Sequence, residues 1–442
     1  MIVKSFRAEN VFDYLNFNIT FNKDISFLVG GNGSGKTTAL KLMNALVAPN
    51  FRDLLQIPFK KISLVVENNK ELTEISAELI EEHVILRINS IDEQLALPSY
   101  SNIEYEYGAS DKLEETFDVL TRKYADHKII KKISEIQSPI FLGLDRRHDN
   151  FSGGRNDYYH EREIRMRIGG RALGPKRSIQ GSLGVSLMET ELLVQNAYRR
   201  LREVEDRQSN KLRDSILLST FKYSIFAPEN SPPLGSWKEK AGLLKRQQEI
   251  KEALSKIGVR DSRLSSGLDE FFTRITSLFE GLASKDGGNQ IEWLLNKAQI
   301  DRMSRIVEII DEHRSKLEDI FRPINQFLQM VNDFFKDSNK TLELDTVGQL
   351  VITRPNGKKS TIDGLSSGER QLLVIFAHAF FNRSHQKETV FIIDEPELSL
   401  HLLWQEKFSA AILAINPISQ FILATHSPEI VGSNKNKTVQ CR

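Results

Sequence analysis

Residues 25–38 read ISFLVGGNGSGKTT. The apolar run 25–29 is of buried-strand type, and ALKLMNALV after it repeats apolar residues at helical spacing. Between them Gly30, Gly31, Asn32, Gly33, Ser34, Gly35, Lys36 and Thr37 satisfy G-x-x-x-x-G-K-[ST]. In that pattern the glycines let backbone N–H groups curl around a β-phosphate, and the lysine puts a positive charge near the β/γ bridge. The Thr37 hydroxyl is offered to Mg²⁺, and a helix N-terminus adds its dipole. A glycine-rich turn without a ligand competes with this reading. The complete pattern, set between a strand and an amphipathic helix, favours the phosphate. The expected phosphate-binding set is Gly30, Asn32, Gly33, Ser34, Gly35, Lys36, Thr37 and Thr38.

Two later strands end in groups that such a loop requires. VFIIDE (390–395) is an apolar run closed by two acids. Beside a phosphate loop the first acid, Asp394, orders Mg²⁺ together with Thr37, and the second, Glu395, polarises the attacking water as general base. Taken alone, acids at a strand end are commonplace; Lys36 upstream is what turns them toward function. QFILATH (420–426) is a second buried strand, ending in a histidine. A lone histidine there is usually structural. Its place after the two acids marks His426 as a γ-phosphate sensor. DGLSSGERQ (363–371) opens a helix with a capping box, Ser366 as N-cap and Glu369 reaching back. The same serines, glycine and helix start also suit an anion.

Bulk properties narrow the class. The chain has 442 residues, 40% of them apolar, enough for a sizeable core and two or three lobes. Lys+Arg total 60 against 59 Asp+Glu, a net charge of +1, so any basic surface is local. The single cysteine, Cys441, excludes an internal disulfide and a cysteine-based metal hook. The apolar runs are too short to span a bilayer, and MIVKSFRAEN lacks the form of a signal peptide, so a soluble cytoplasmic protein is expected.

The chain reads as three parts. Residues 1–180 form a β-rich lobe with IVKSFRAEN, NFNITF, KKISLVVE, HVILRIN and SPIFLGL as strands and a helical stretch over 111–136. Residues 181–340 form a helical insertion of charge-rich helices, the longest about 30 residues and hence about 45 Å, too short for a coiled-coil rod. Ile306, Ile310, Leu317, Phe321, Ile324 and Phe327 mark its apolar stripe. Residues 341–442 form a second lobe with TLELD, QLVITR and the two apolar strands. Segment 146–177 carries nine Lys/Arg, four acids and Tyr158–Tyr159, and reads as a loop that could grip DNA or a partner, or simply be solvated.

The order of these motifs, GGNGSGKTT, LSSGERQ, FIIDEPELSLH, ATHSPE, resembles that of an ABC-type ATPase head of the SMC/RecF/OLD class. FRAEN and NFNITF also look like the opening strands of such heads, and the likeness covers roughly residues 1–70 and 341–431. It implies an α/β fold with a mixed β lobe, a parallel-sheet core and an inserted helical arm or lid. It further implies that Ser366, Ser367, Gly368 and Glu369 form the signature motif, that Ser399 lies in the D-loop, and that His426 is the switch histidine. In that class the signature of one subunit completes the ATP site of another, so a homodimer or higher homo-oligomer is expected, with ATP and Mg²⁺ between subunits. LSSGE rather than LSGGQ points away from membrane transporters.

The sequence also departs from the class. Leu402 replaces the proline of an LHPxWQ run, and Gln137, before SPIFLGL, is a weak candidate for a Q-loop glutamine. A Cys-x-x-Cys hook is absent, and only sixteen residues follow His426, so neither a hooked break-repair head nor an OLD-type nuclease is expected. The resemblance is strongest to stand-alone ATPase subunits of anti-phage systems of the PARIS or Septu type, in which the ATPase controls a separate effector such as a nuclease. A RecF-like DNA-repair clamp and a slow or non-hydrolysing ATP-dependent assembly module are the alternatives.

Overall fold

The alternating N-terminal residues form two antiparallel strands, β1 (Ile2–Val11) and β2 (Leu15–Thr20), before the buried run β3 (Ile25–Val29). In order come helices α1 (Lys36–Val47) and α2 (Phe51–Gln56), then strands β4 (Lys61–Asn68), β5 (Glu71–Ile80), β6 (His83–Ile88) and β7 (Leu95–Pro98). Next are α3 (Asp111–Tyr124), α4 (Lys128–Ser134) and β8 (Ile140–Gly143). Among the described residues four helices follow: α5 (Gly181–Thr220), α6 (Gln247–Lys256), α7 (Ser262–Ala283) and α8 (Gly287–Phe335). The C-terminal part holds β9 (Thr341–Leu344), β10 (Leu350–Thr353), β11 (Lys359–Thr361), α9 (Ser367–Phe381), β12 (Val390–Asp394), α10 (Leu402–Ile415), β13 (Gln420–Ala424), α11 (Pro428–Val431) and β14 (Thr438–Gln440). These elements come from a computed structural model that describes residues 1–48, 51–99, 111–143, 181–220, 242, 246–256, 262–283, 287–382 and 388–441. The basic segment 146–177 lies outside the described residues, as does the run NSPPLGS (230–236), whose prolines and glycine interrupt the helical pattern of 181–340.

Three sheets are formed among the described residues. One is antiparallel, in the order β2–β1–β4–β5–β6–β7; a small one runs β11–β10–β9; the third is parallel, in the order β14–β3–β13–β12–β8. The parallel sheet is covered on both faces, which is why its strands read as unbroken apolar runs. Alternate residues divide between two cores. Leu28, Val390, Ile392, Ile422 and Ala424 face the core shared with α1 and the antiparallel sheet. Phe27, Phe391, Ile393, Phe421 and Leu423 face the core shared with α9, α10 and the end of α8. Phe391 and Phe421 stack at 5.1 Å across the strand pair. The α/β class expected from the motifs, a mixed β lobe with a parallel-sheet core, is the observed one.

The chain divides into two compact units, Met1–Asn196 with Phe327–Arg442, and Ala197–Gln326. The second unit is helical, with a core of Leu212, Ile216, Ile250, Phe272, Val307 and Ile310. In it the Arg202 guanidinium lies over both the Tyr198 and Phe321 rings, and Arg246 pairs with Asp311 and Glu249.

Some local readings need correction. Helix α5 has 40 residues and α8 has 49, about 74 Å at about 1.5 Å per residue, because α8 already begins at Gly287 and runs through Pro323 to Phe335. The helical stretch at 111–136 is two helices; His127, with its side chain accepting from the Ile129 N–H, is the N-cap of α4. Strand β5 was hidden by its half-polar sequence ELTEISAELI, and β14 by its length of three residues.

Candidate functional site

Parallel pairing places the ends of three strands on one edge. Leu28 pairs with Ala424, and Ala424 with Asp394, so the segments leaving β3, β13 and β12 emerge side by side. The carboxyl edge of a parallel sheet is where such folds bind ligands. Residues 30–37, 394–395 and 426 therefore meet although more than 350 positions separate the first group from the others.

The loop after β3 turns through left-handed Gly33 and Gly35, at φ 79° and 85°, into α1. A Cβ on Gly35 would lie 2.8 Å from the Phe17 ring and 2.9 Å from Leu15, so both conformation and space demand glycine there. The Lys36 side chain folds back over the loop, its Nζ donating to Gly30 O at 3.0 Å and Gly31 O at 3.2 Å. Burial pulls this ammonium below its ordinary value, while Cys441, Glu395, Asp394 and Glu397 act in the opposite sense. The Thr37 hydroxyl donates to Asp394 at 2.9 Å. Ser34 Oγ is buried without a hydrogen-bond partner among the described residues.

Glu395 sits at φ 52°, unusual for a non-glycine residue, with its N–H donating to Ala424 O at 2.9 Å. That turn directs the chain away from the sheet, so that Glu395 lines the cleft rather than continuing the strand. His426, at the end of β13, is exposed and lines the same cleft. The cleft has a volume of about 620 Å³ and is lined by the loop residues Asn32, Gly33, Gly35, Lys36, Thr37 and Thr38 together with Glu395, Glu397 and His426. Phe12 and Tyr14, at the tip of the β1–β2 hairpin, line it too, and Tyr14 is 69% exposed.

The residues present fit a nucleotide with Mg²⁺. A buried ammonium over a glycine turn, an unpartnered serine hydroxyl and a Thr–Asp oxygen pair suit a polyphosphate and a hard cation. Mg²⁺ is commonly held by one or two carboxylates plus phosphate oxygens, and no group of three or more His, Cys, Asp or Glu poised for a metal exists among the described residues.

Ser366, Ser367, Gly368 and Glu369 are not part of this cleft's lining. They open α9 with the expected capping box: Glu369 N donates to Ser366 Oγ, and Ser366 N donates to Glu369 Oε2 at 2.7 Å. Ser366 and Ser367 are exposed, whereas Gly368 backs onto the turn at Ser399. A Cβ at Gly368 would stand 2.3 Å from Ser399 O, and Ser399 itself has φ 65°. The Glu369 carboxylate points inward, accepting from Lys340 Nζ at 2.8 and 3.0 Å and from the Ser338 hydroxyl at 2.8 Å. Burial pushes this carboxyl up, but Lys340, the Ser366 N–H and Ser338 outweigh it and hold it below the ordinary value.

Gln137 does not belong to the site. Its Nε2 donates to Thr389 Oγ1 at 3.3 Å, at the amino ends of β8 and β12, whereas the phosphate loop leaves the carboxyl end of β3. Sequence reasoning missed Phe12, Tyr14 and Glu397. It also missed Cys441, whose thiol donates to Ser34 O at 3.4 Å beneath the loop.

Comparison with known proteins adds three findings. Residues 268–432 match the family described as "AAA domain, putative AbiEii toxin, Type IV TA system". The "Retron Vc95 probable ATPase" of Vibrio cholerae serotype O1 biovar El Tor is 26% identical over 200 residues, 40% of this chain; the chain spans only 38% of that relative's length. Among solved structures, the Smc head domain with an extended coiled coil bound to the C-terminal domain of ScpA, from Pyrococcus furiosus, aligns over 97% of this chain and 91% of its own, at 14% identity and TM-score 0.39. The SMC head domain from Thermotoga maritima aligns over 98% and 91%, at 11% identity and TM-score 0.36. The family match and the retron relative support the resemblance read from the motifs: an ABC/SMC-like ATPase of defence-system type.

Proposed function

We propose that the chain binds ATP with Mg²⁺ in the cleft at the carboxyl edge of the parallel sheet and hydrolyses it to ADP and phosphate. The observation that carries this reading is the convergence of Lys36, the Thr37–Asp394 pair, Glu395 and His426 on one cleft. Thr37 and Asp394 would hold Mg²⁺, which supplies charge neutralisation at the phosphates. Lys36 and the loop N–H groups bind the β- and γ-phosphates. Glu395 accepts a proton from the attacking water, whose oxygen bonds to the γ-phosphorus as the bridging bond to the β-phosphate breaks. His426 contacts the transferred phosphoryl group. Phe12 and Tyr14 give the base an aromatic wall.

The signature residues serve the cleft of a second copy. Ser367 is exposed outside the cleft of its own subunit, which supports assembly of two copies around ATP. Glu369, committed inward, acts there by fixing the loop that presents Ser367 and Gly368. The output is control of a separate effector protein, a nuclease being the leading class; the retron relative supports a defence setting. The domain division into lobes 1–180 and 341–442 around an insertion at 181–340, and the basic segment 146–177 as a DNA or partner grip, belong to the same proposal. No helix among the described residues is long and apolar enough to cross a membrane.

The test is phosphate release and ATP retention by the purified chain with Mg²⁺. Lys36→Ala loses binding, while Glu395→Gln retains ATP and accumulates the associated form by sedimentation. Hydrolysis by Glu395→Gln at the unmodified rate would remove Glu395 from its role.

A further inference from the structure

A second carboxylate lies two residues beyond Glu395, and the reading above gives it no task. Glu397 is held in a tight turn: Leu398 N donates to Glu395 O at 3.1 Å and Leu400 N donates to Glu397 O at 3.0 Å. From that turn its carboxylate reaches across to the end of β13. Oε1 accepts the His426 backbone N–H at 2.6 Å, and Oε2 accepts the Thr425 hydroxyl at 2.8 Å. The Thr425 oxygen in turn accepts the Ser427 N–H at 3.0 Å. Three consecutive residues centred on His426 are thus linked, directly or through Thr425, to one side chain.

The same turn grips the far side of this segment. Ser427 Oγ lies 2.7 Å from Gln405 Oε1, and Gln405 Nε2 donates to Leu400 O at 2.9 Å. Thr425 is fully buried and Ser427 nearly so, whereas His426 is exposed. The His426 imidazole makes no hydrogen bond among the described residues, so what holds it at the cleft is the direction of its Cα–Cβ bond, which the backbone fixes. Glu397 holds that backbone at the His426 N–H itself, next to the Thr425 N–H that donates to Leu28 O at 3.1 Å.

We propose that Glu397 is a positioning residue for His426: its carboxylate fixes the backbone that aims the imidazole into the nucleotide cleft. The proposal rests on the reading of His426 as the group that contacts the transferred phosphoryl group. It also ties the turn that carries Glu395 to the turn that carries the histidine, so that the base and the sensor keep one relative geometry.

Four variants decide it: Glu397→Ala, Glu397→Gln, His426→Ala and the double variant Glu397→Ala/His426→Ala. Glutamine keeps an oxygen for the His426 N–H and offers its NH₂ to Thr425, so it restores most of what alanine loses. Glu397→Ala lowers kcat about tenfold or more, with KM within about threefold. In the His426→Ala background the same change alters the rate less than about twofold, because the effect runs through the ring already removed. Amide hydrogen exchange supplies a readout that needs no turnover. In Glu397→Ala the His426 and Ser427 amides exchange faster, in Glu397→Gln they recover, and protection inside β12 and β13 is unchanged.

An equal loss in both backgrounds overturns the proposal. So does Glu397→Ala with unmodified kcat and exchange, or loss of protection throughout β13, which would make Glu397 a support of the sheet alone. If His426→Ala turns over ATP at the unmodified rate, or the unmodified chain turns over none, the assignment of His426 or of the activity fails instead. Exchange at His426 then still decides whether Glu397 holds it.

Discussion

Replacing Lys340 with methionine leaves the Glu369 carboxylate, 3% exposed, without the ammonium that contacts both its oxygens. The Ser338 hydroxyl and the Ser366 N–H remain, at 2.8 and 2.7 Å, so the anion is not stripped of hydrogen bonds. Breaking a buried ion pair by removing one partner typically costs about 3–5 kcal/mol. Two features set the cost here at the lower end. Lys340 is 20% exposed, so water reaches part of the pair. The orphaned carboxylate can also escape by taking up a proton. Counted from 4.5, neutralising it at pH 7 costs about 3.4 kcal/mol, at about 1.4 kcal/mol for each pH unit, and more when counted from the lower folded value, so this escape bounds the electrostatic loss without setting it. The expected loss is therefore about 3 kcal/mol at pH 7.

The pH dependence has a definite sign. The folded value of Glu369 lies below 4.5, so its stabilising contribution is full above that pH and is lost as pH falls through the folded value. In Lys340→Met the folded value moves up instead, and the gap between variant and parent narrows as pH falls toward 4.5. Urea unfolding followed by circular dichroism at several pH values measures both. Glu369→Gln added to Lys340→Met recovers most of the loss, because no charge is then left unpaired. A loss at pH 7 under about 1 kcal/mol, a gap that stays constant into acid, or no recovery in the double variant would refute the buried-pair argument.

Three further outcomes follow from other contacts. Gly368→Ala puts a methyl 2.3 Å from Ser399 O, so the helix start must shift; stability falls by about 1–3 kcal/mol, and ATP-driven association measured by sedimentation falls with it. Cys441 is 2% exposed and burial pushes its thiol up to about 11, so native alkylation by iodoacetamide at pH 8 is slow by mass spectrometry and becomes fast in urea. Since that value lies above 9.0, the thiol's contribution to stability is intact at neutral pH and is lost as pH rises toward about 11. Tyr14→Ala removes an exposed ring from the cleft wall and weakens ATP binding about tenfold while leaving binding of inorganic triphosphate unchanged, by calorimetry.

The legible parts of this chain are those whose signal is local. Ile25–Thr37 carries strand, turn and helix start in one stretch, and each choice is forced: apolar on both faces, glycine at left-handed φ, lysine at the helix start. The meeting of Asp394 and His426 with that loop was legible too, because adjacent parallel strands bring their carboxyl ends to one edge. Glu397 was not legible. An acid in EPELS looks like any solvated turn residue, and its partner amide lies 29 residues on. Lys340 ends the polar run KDSNK and looks equally solvated, yet it is spent on a carboxylate 29 residues away. Strand β14 has three residues and no alternation to read; what makes it a strand is pairing with β3, which only the assembled sheet supplies.

The opening of α9 is held from three directions within its unit, and this bears on how a signature motif could report on another element. From one side Glu369 is fixed by Ser338 and Lys340, in the turn that ends α8, while Asp337 in that turn accepts from Trp404 Nε1 at 2.8 Å. From the second, Gly368 abuts Ser399 O. From the third, the fully buried Gln371 donates to Pro396 O at 2.9 Å, next to Glu395. A displacement of residues 395–399 reaches the start of α9 directly, because Gly368 abuts Ser399 O and the buried Gln371 holds Pro396 O. It must move the start of α9, or be resisted by it. Ser367 is exposed at that start, so whatever binds it acts on the same rigid assembly that carries Glu395. The capping box is thus more than a helix-start device: by committing Glu369 inward, it leaves Ser366 and Ser367 outward as the faces a second nucleotide could meet.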